Sequence, residues 1–118
     1  MPQYHRRDIA KLRKIMDDLR RYKNHHLFNI LPLTNALERL GFERVVRAKG
    51  GSHIPYRHEL LTQHKFLVDG IFNLAVKGGK KNQMSCYDFR NYCEEPIEFV
   101  LDRMENERLI VENEINEE

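Results

Sequence analysis

Leu40-Gly41-Phe42-Glu43-Arg44-Val45-Val46-Arg47-Ala48-Lys49-Gly50-Gly51-Ser52-His53-Ile54 is where a helical pattern gives way to strands. Just before it, Pro32 opens or precedes a short helix through Ala36, Leu37 and Leu40. Gly41 is placed as the residue after that helix, where a left-handed backbone is easiest for glycine. From Phe42 the period changes. Phe42, Val45, Val46 and Ala48 stand among Glu43, Arg44 and Arg47, the imperfect alternation of a half-buried strand. Gly50-Gly51 predicts a turn, and Ser52 to His58 resumes as an extended segment. Pro55 cannot donate to a ladder, which puts this second strand at an edge or beside a bulge.

Working toward the C-terminus, a looser stretch runs to Lys65. Phe66–Val68 and Ile71–Val76 then flank Asp69-Gly70, a dipeptide favoured in hairpins, giving three or four antiparallel strands. Gly78-Gly79-Lys80-Lys81-Asn82 is expected to end the sheet. Ser85 can cap a following helix, with Asp88 adding negative charge near its positive end. Tyr87, Phe89 and Tyr92 of that helix are expected to help build the core. Pro96 either ends it or starts another helix, which uses Ile97, Val100, Leu101 and Met104 and runs over 96–112. Arg108 to Val111 is ambiguous between helix and strand. Working the other way, Ile9, Leu12, Ile15, Met16, Leu19 and Tyr22 recur at helical spacing and predict a basic helix over 5–23, broken by Lys23-Asn24-His25-His26. The 118 residues fit a single α+β domain, 1–118, ordered helix, helix, strands, helix, helix.

The net charge of +2 conceals a segregation. Residues 1–25 carry eight Lys/Arg against three Asp, and residues 26–93 carry ten against five acidic groups. Residues 94–118 carry two Arg against ten acidic groups. The first three-quarters of the chain suits a polyanion and the remainder repels one. The two oppositely charged terminal helices could pack together, mediate a homodimer, or let the acidic one cover a basic face. Cys86 and Cys93 sit two helical turns apart, too far for a disulfide, and read as two half-buried thiols in a reducing compartment. No Cys/His quartet suggests a structural metal. No apolar run approaches the ~18 residues of a membrane span, and no signal-peptide pattern is visible, so the expected location is cytoplasmic, without membrane contact.

The quoted stretch resembles the HicA family of toxins from bacterial toxin–antitoxin pairs. There a short helix ends in a Gly-aromatic step, a strand follows, and Gly-Ser-His opens the next strand. The likeness continues through Tyr56-Arg57-His58 and into Leu74-Ala75-Val76-Lys77-Gly78, and the helix from Cys86 to Glu94 takes the place of the family's second helix. It covers roughly residues 30–94, with an extra helix outside it at each terminus. The resemblance implies a double-stranded-RNA-binding-like α-β-β-β-α fold and metal-independent cleavage of messenger RNA. It also implies a HicB-like antitoxin partner, no cofactor, and His53 as the catalytic residue. The chain departs from the family's pattern at Ile54, often a second histidine, and at Ala75-Val76-Lys77, commonly Pro-x-His.

The chemistry suits a histidine there. RNA is cut by its own 2′-hydroxyl if a base removes the proton and an acid protonates the leaving 5′-oxygen. Imidazole serves either role near neutral pH. Gly50, Gly51 and Ser52 shape a turn whose backbone can approach phosphate. Lys49, Lys77, Lys80 and Lys81 are the candidates for neutralising it. His58 and His64 read as surface loop residues. Two other readings compete with an endoribonuclease. One is a non-catalytic RNA-binding module on the same fold, favoured by Ile54 and Lys77. The other is a regulatory protein-interaction domain that uses the flanking helices.

Overall fold

The computed structural model describes residues 3–46, 53–65, 67–77 and 80–111, with the backbone alone for Lys80 and Lys81. Helix α1 (Arg6–Arg20) buries Ile9, Leu12, Met16 and Leu19 on one stripe. It ends short of position 23, and Tyr22, expected on that stripe, lies outside it and stacks on His26 at 4.0 Å. Before the helix, Tyr4–His5 forms a short strand, β1.

Helix α2 (Leu31–Arg39) carries Pro32 in its first turn, where a missing N–H costs nothing. Leu40 closes it and Gly41 follows at φ +89°, the left-handed geometry expected there. The 3.6-residue period then gives way to β3 (Glu43–Arg44) and β4 (His53–Arg57). Of the expected first strand, Glu43 and Arg44 pair with Arg57 and Tyr56, and the Val45 amide bonds the Pro55 carbonyl at 2.9 Å.

The stretch after β4 corrects two expectations. Leu67 and Val68 form no strand. Asp69 (φ 55°) and Gly70 (φ 69°) do make a tight turn, closed by the Ile71 amide on the Val68 carbonyl, but it leads into β5 (Ile71–Lys77) rather than joining two strands. Nor does the sheet end near Gly78. The chain returns as β6 (Lys80–Ser85), antiparallel to β5, with a register shift at Val76/Lys77. Polar residues 80–83 hide this strand from an apolar-pattern reading; Met84, fully buried opposite Val76, is its main apolar anchor. Leu27–Asn29, β2, pairs with β6 on its other side, giving a five-stranded antiparallel sheet in the order β2-β6-β5-β4-β3. The segment from β2 through α2 to β3 therefore crosses the whole width of the sheet.

Ser85 caps α3 (Cys86–Tyr92) as expected, its hydroxyl accepting from the Asp88 amide at 3.1 Å. Cys93 alone separates α3 from α4 (Glu94–Asn106), so Pro96 starts a helix rather than ending one. Ile110–Val111, β7, leaves α4 and pairs in parallel with β1.

The architecture is mixed α+β, with four α-helices among the described residues and one core that takes side chains from all four and from the sheet. The terminal helices belong to that core. Arg13 of α1 reaches Glu98, Asp102 and Glu105 of α4, and Arg20 reaches Glu94 and Glu98, so the charge contrast is used within the chain. Both thiols are fully buried rather than half-buried. Of the three α3 aromatics expected in the core, Phe89 alone is there; Tyr87 and Tyr92 are half exposed.

Candidate active site

His53 opens β4 directly opposite Ala75 of β5, and its side chain is exposed. Strand alternation puts His53 and Pro55 on the same face as Ala75 and Asn73. A cleft of about 340 Å3 opens here. The sheet supplies His53, Phe72 and Asn73, the β4–β5 connection supplies His64 and Leu67, and the α3–α4 junction supplies Asn91, Tyr92 and Glu95.

Local chemistry explains why the β4–β5 connection presents His64 to this space. His58 caps a 3-10 turn at Glu59–Gln63, its Nδ1 accepting from the Leu60 amide at 3.1 Å, while Leu60 and Leu61 anchor the turn in the core. The His64 amide then closes on the Leu61 carbonyl at 2.9 Å. Asp69 and Gly70 complete the return to β5. The opposite wall is fixed by Cys93, whose thiol donates to the Asn73 carbonyl at 3.3 Å and ties the α3–α4 junction to β5. Burial raises that thiol's pKa, with nearby Asp88 adding to the effect, so Cys93 serves as packing rather than as a nucleophile.

His64 is 9% exposed, and its ring meets that of Phe99 edge-on at 4.9 Å. Its Nε2 lies 2.8 Å and 3.0 Å from the two oxygens of Glu95. A carboxylate accepts only, so this nitrogen carries a hydrogen and donates. The expectation that His58 and His64 are surface residues is thus corrected for both. His58 is 2% exposed and His64 belongs to the cleft. Each is buried by contacts from far along the sequence: Leu40 and Phe42 for His58, Glu95 and Phe99 for His64.

Of the residues singled out from sequence, His53 is at the cleft. Lys77 does not line it; its Nζ pairs with Asp88 at 3.5 Å. Lys49, Gly50, Gly51 and Ser52 lie outside the described residues, as do the side chains of Lys80 and Lys81. Glu95 and His64 were missed because they stand 31 positions apart and nothing local marks either. The arrangement assembles two imidazoles, one carboxylate, two amides and a half-exposed tyrosine around one space, a set suited to moving protons on a polar ligand. Among the described residues, no group of three His, Cys, Asp or Glu side chains is placed to hold a metal ion, and no helix is long and apolar enough to cross a membrane. Compared with protein-family models, curated proteins and solved structures, the chain matches none.

Proposed function

We propose that this chain is an endoribonuclease of the toxin type, which cuts messenger RNA in the cytoplasm by metal-independent acid–base chemistry and is restrained by a HicB-like antitoxin. The observation that carries the reading is the position of His53. The histidine of the Gly-Ser-His motif is exposed, begins a strand, and stands at the mouth of a cleft with other proton-transfer groups. The order α2-β3-β4-β5, followed by α3, supports a double-stranded-RNA-binding-like arrangement in which β6 is an added strand. Lys77 on β5 is half exposed and offers phosphate a charge from outside the cleft.

The test is cleavage of RNA by purified protein in EDTA, alongside growth on induction. Wild type is expected to cut and to arrest growth. His53→Ala should lose about 10²–10⁴-fold in rate, the usual contribution of a general acid or base, while still binding RNA. Equal cleavage or equal toxicity in His53→Ala would remove His53 from the mechanism. Wild-type activity that disappears in EDTA would remove the metal-free chemistry.

A further inference from the structure

A histidine acting alone leaves half of the proton traffic unassigned, and Lys77, turned to Asp88, does not supply the rest. We propose that Glu95 is the general base that complements His53, with His64 as the residue that positions it; the assignment rests on the RNA-cleaving reading above.

Glu95 and His64 differ sharply in burial. The Glu95 side chain is 69% exposed, yet both of its oxygens lie within bonding distance of one imidazole nitrogen whose own side chain is 7% exposed. An exposed glutamate ordinarily samples several rotamers, and that freedom makes surface ion pairs weak. Here a buried ring, packed edge-on against Phe99, fixes one of them. The carboxylate keeps lone pairs facing the cleft, since a single N–H cannot use them all. His64 is the poorer base, because the nitrogen it directs at Glu95 already holds a hydrogen and the ring is almost wholly covered. Base, positioning residue and His53 come from α4, the β4–β5 connection and β4, and they meet at one cleft of a size suited to a nucleotide.

The step balances without water or a metal. Glu95 takes the proton of the ribose 2′-hydroxyl as that oxygen forms a bond to phosphorus. The bond from phosphorus to the 5′-oxygen breaks, and its electron pair takes a proton from the His53 imidazolium. The products are a 2′,3′-cyclic phosphate and a 5′-hydroxyl end. Glu95 is left protonated and His53 neutral, and exchange with solvent restores both.

The experiment measures kcat and KM for cleavage of a short single-stranded RNA at neutral pH by wild type, Glu95→Gln, His64→Gln and His64→Phe. Glu95→Gln should lose at least 100-fold in kcat at little change in KM, because an amide cannot take the proton of the 2′-hydroxyl. The terminal amide of His64→Gln can stand in for Nε2 and should recover at least tenfold over His64→Phe. Unchanged thermal unfolding of Glu95→Gln, expected for so exposed a side chain, separates this from misfolding and decides the matter should the His64 variants not fold. Wild-type cleavage that Glu95→Gln leaves unaltered in kcat overturns the assignment while the RNA reading stands. No cleavage by wild type overturns the RNA reading, and the assignment falls with it.

Discussion

The carbonyl of Leu40, at the last turn of α2, lies 2.8 Å from Nε2 of His58, where β4 gives way to the connection that carries His64. Leu40 is fully buried and His58 nearly so. The carbonyl accepts, so Nε2 carries the hydrogen, and Nδ1 accepts from the Leu60 amide. One neutral tautomer is thereby fixed, with the rings of Phe42 and Tyr4 beside it at 4.6 Å and 5.8 Å. This bond joins the end of α2 to one wall of the cleft.

Acid should loosen that joint. Burial pushes the His58 pKa below the ordinary histidine value, against the opposing pull of the Leu40 carbonyl, Glu59 and Glu43. The unfolded chain therefore takes up the proton first as pH falls. Stability from the neutral ring is fully present above about pH 6.5 and drains away as pH descends toward the lower folded-state value. Thermal unfolding between pH 7.5 and 5 should show a falling midpoint in wild type. His58→Gln should start lower, because a buried bond is lost, and fall less steeply. Parallel slopes in the two proteins would mean that another group carries the pH dependence.

Gly41→Ala should be costly for two separate reasons. At φ +89° an L-residue is strained, and an added Cβ would stand 3.2 Å from His58 Nε2 and 3.3 Å from Tyr4 Cε1. The backbone strain alone is worth about 1–2 kcal/mol. Urea denaturation should show at least that loss with an unchanged slope. A loss of less than about 0.5 kcal/mol would show that the backbone relaxes out of the left-handed geometry and the His58 contact gives with it.

Arg20→Gln tests the seam between the terminal helices. Its guanidinium bonds Glu94 at 2.7 Å, Asp17 at 2.6 Å and also Glu98, but its side chain is 39% exposed. Solvent screening keeps the expected loss under about 1 kcal/mol at low salt, fading toward zero near 1 M salt. Chemical denaturation with urea at both salt levels measures it. A loss independent of salt would assign the effect to packing of the arginine stem.

Lys77→Ala addresses RNA rather than stability. If this half-exposed lysine neutralises one phosphate, its removal should reduce the slope of log affinity against log salt by about 0.7–1, with similar effect on every RNA sequence. Filter binding across a salt series supplies the slope. An unchanged slope would leave Lys77 with Asp88 as its only ionic role.

Much of this molecule is legible one segment at a time, because caps and glycine geometry are local. Ser85 and Gly41 sit where their sequence neighbours require, and Asp69-Gly70 makes its turn. What the segments could not reveal depends on distant partners. β6 is a polar strand defined by β5 on one side and β2 on the other. Arg90, an ordinary surface residue by pattern, bonds the Leu19 carbonyl at 3.1 Å and the Arg20 and Tyr22 carbonyls, closing the end of α1 from another helix. His53 was legible because its motif precedes it directly. Glu95 was not, since a glutamate beside Pro96 in an acidic run has no distinguishing neighbour until His64 is brought to it.

The pairing of β1 with β7 carries a consequence for how the chain assembles. Tyr4 and Ile110 are register partners about a hundred residues apart, and the ladder between them is two residues long on each side. Closing so long a loop for so few bonds is entropically unfavourable until the intervening structure has already drawn the ends together. This clasp should therefore form after the sheet and open before it, its amides exchanging with solvent through small local openings while those of β5 wait for global unfolding.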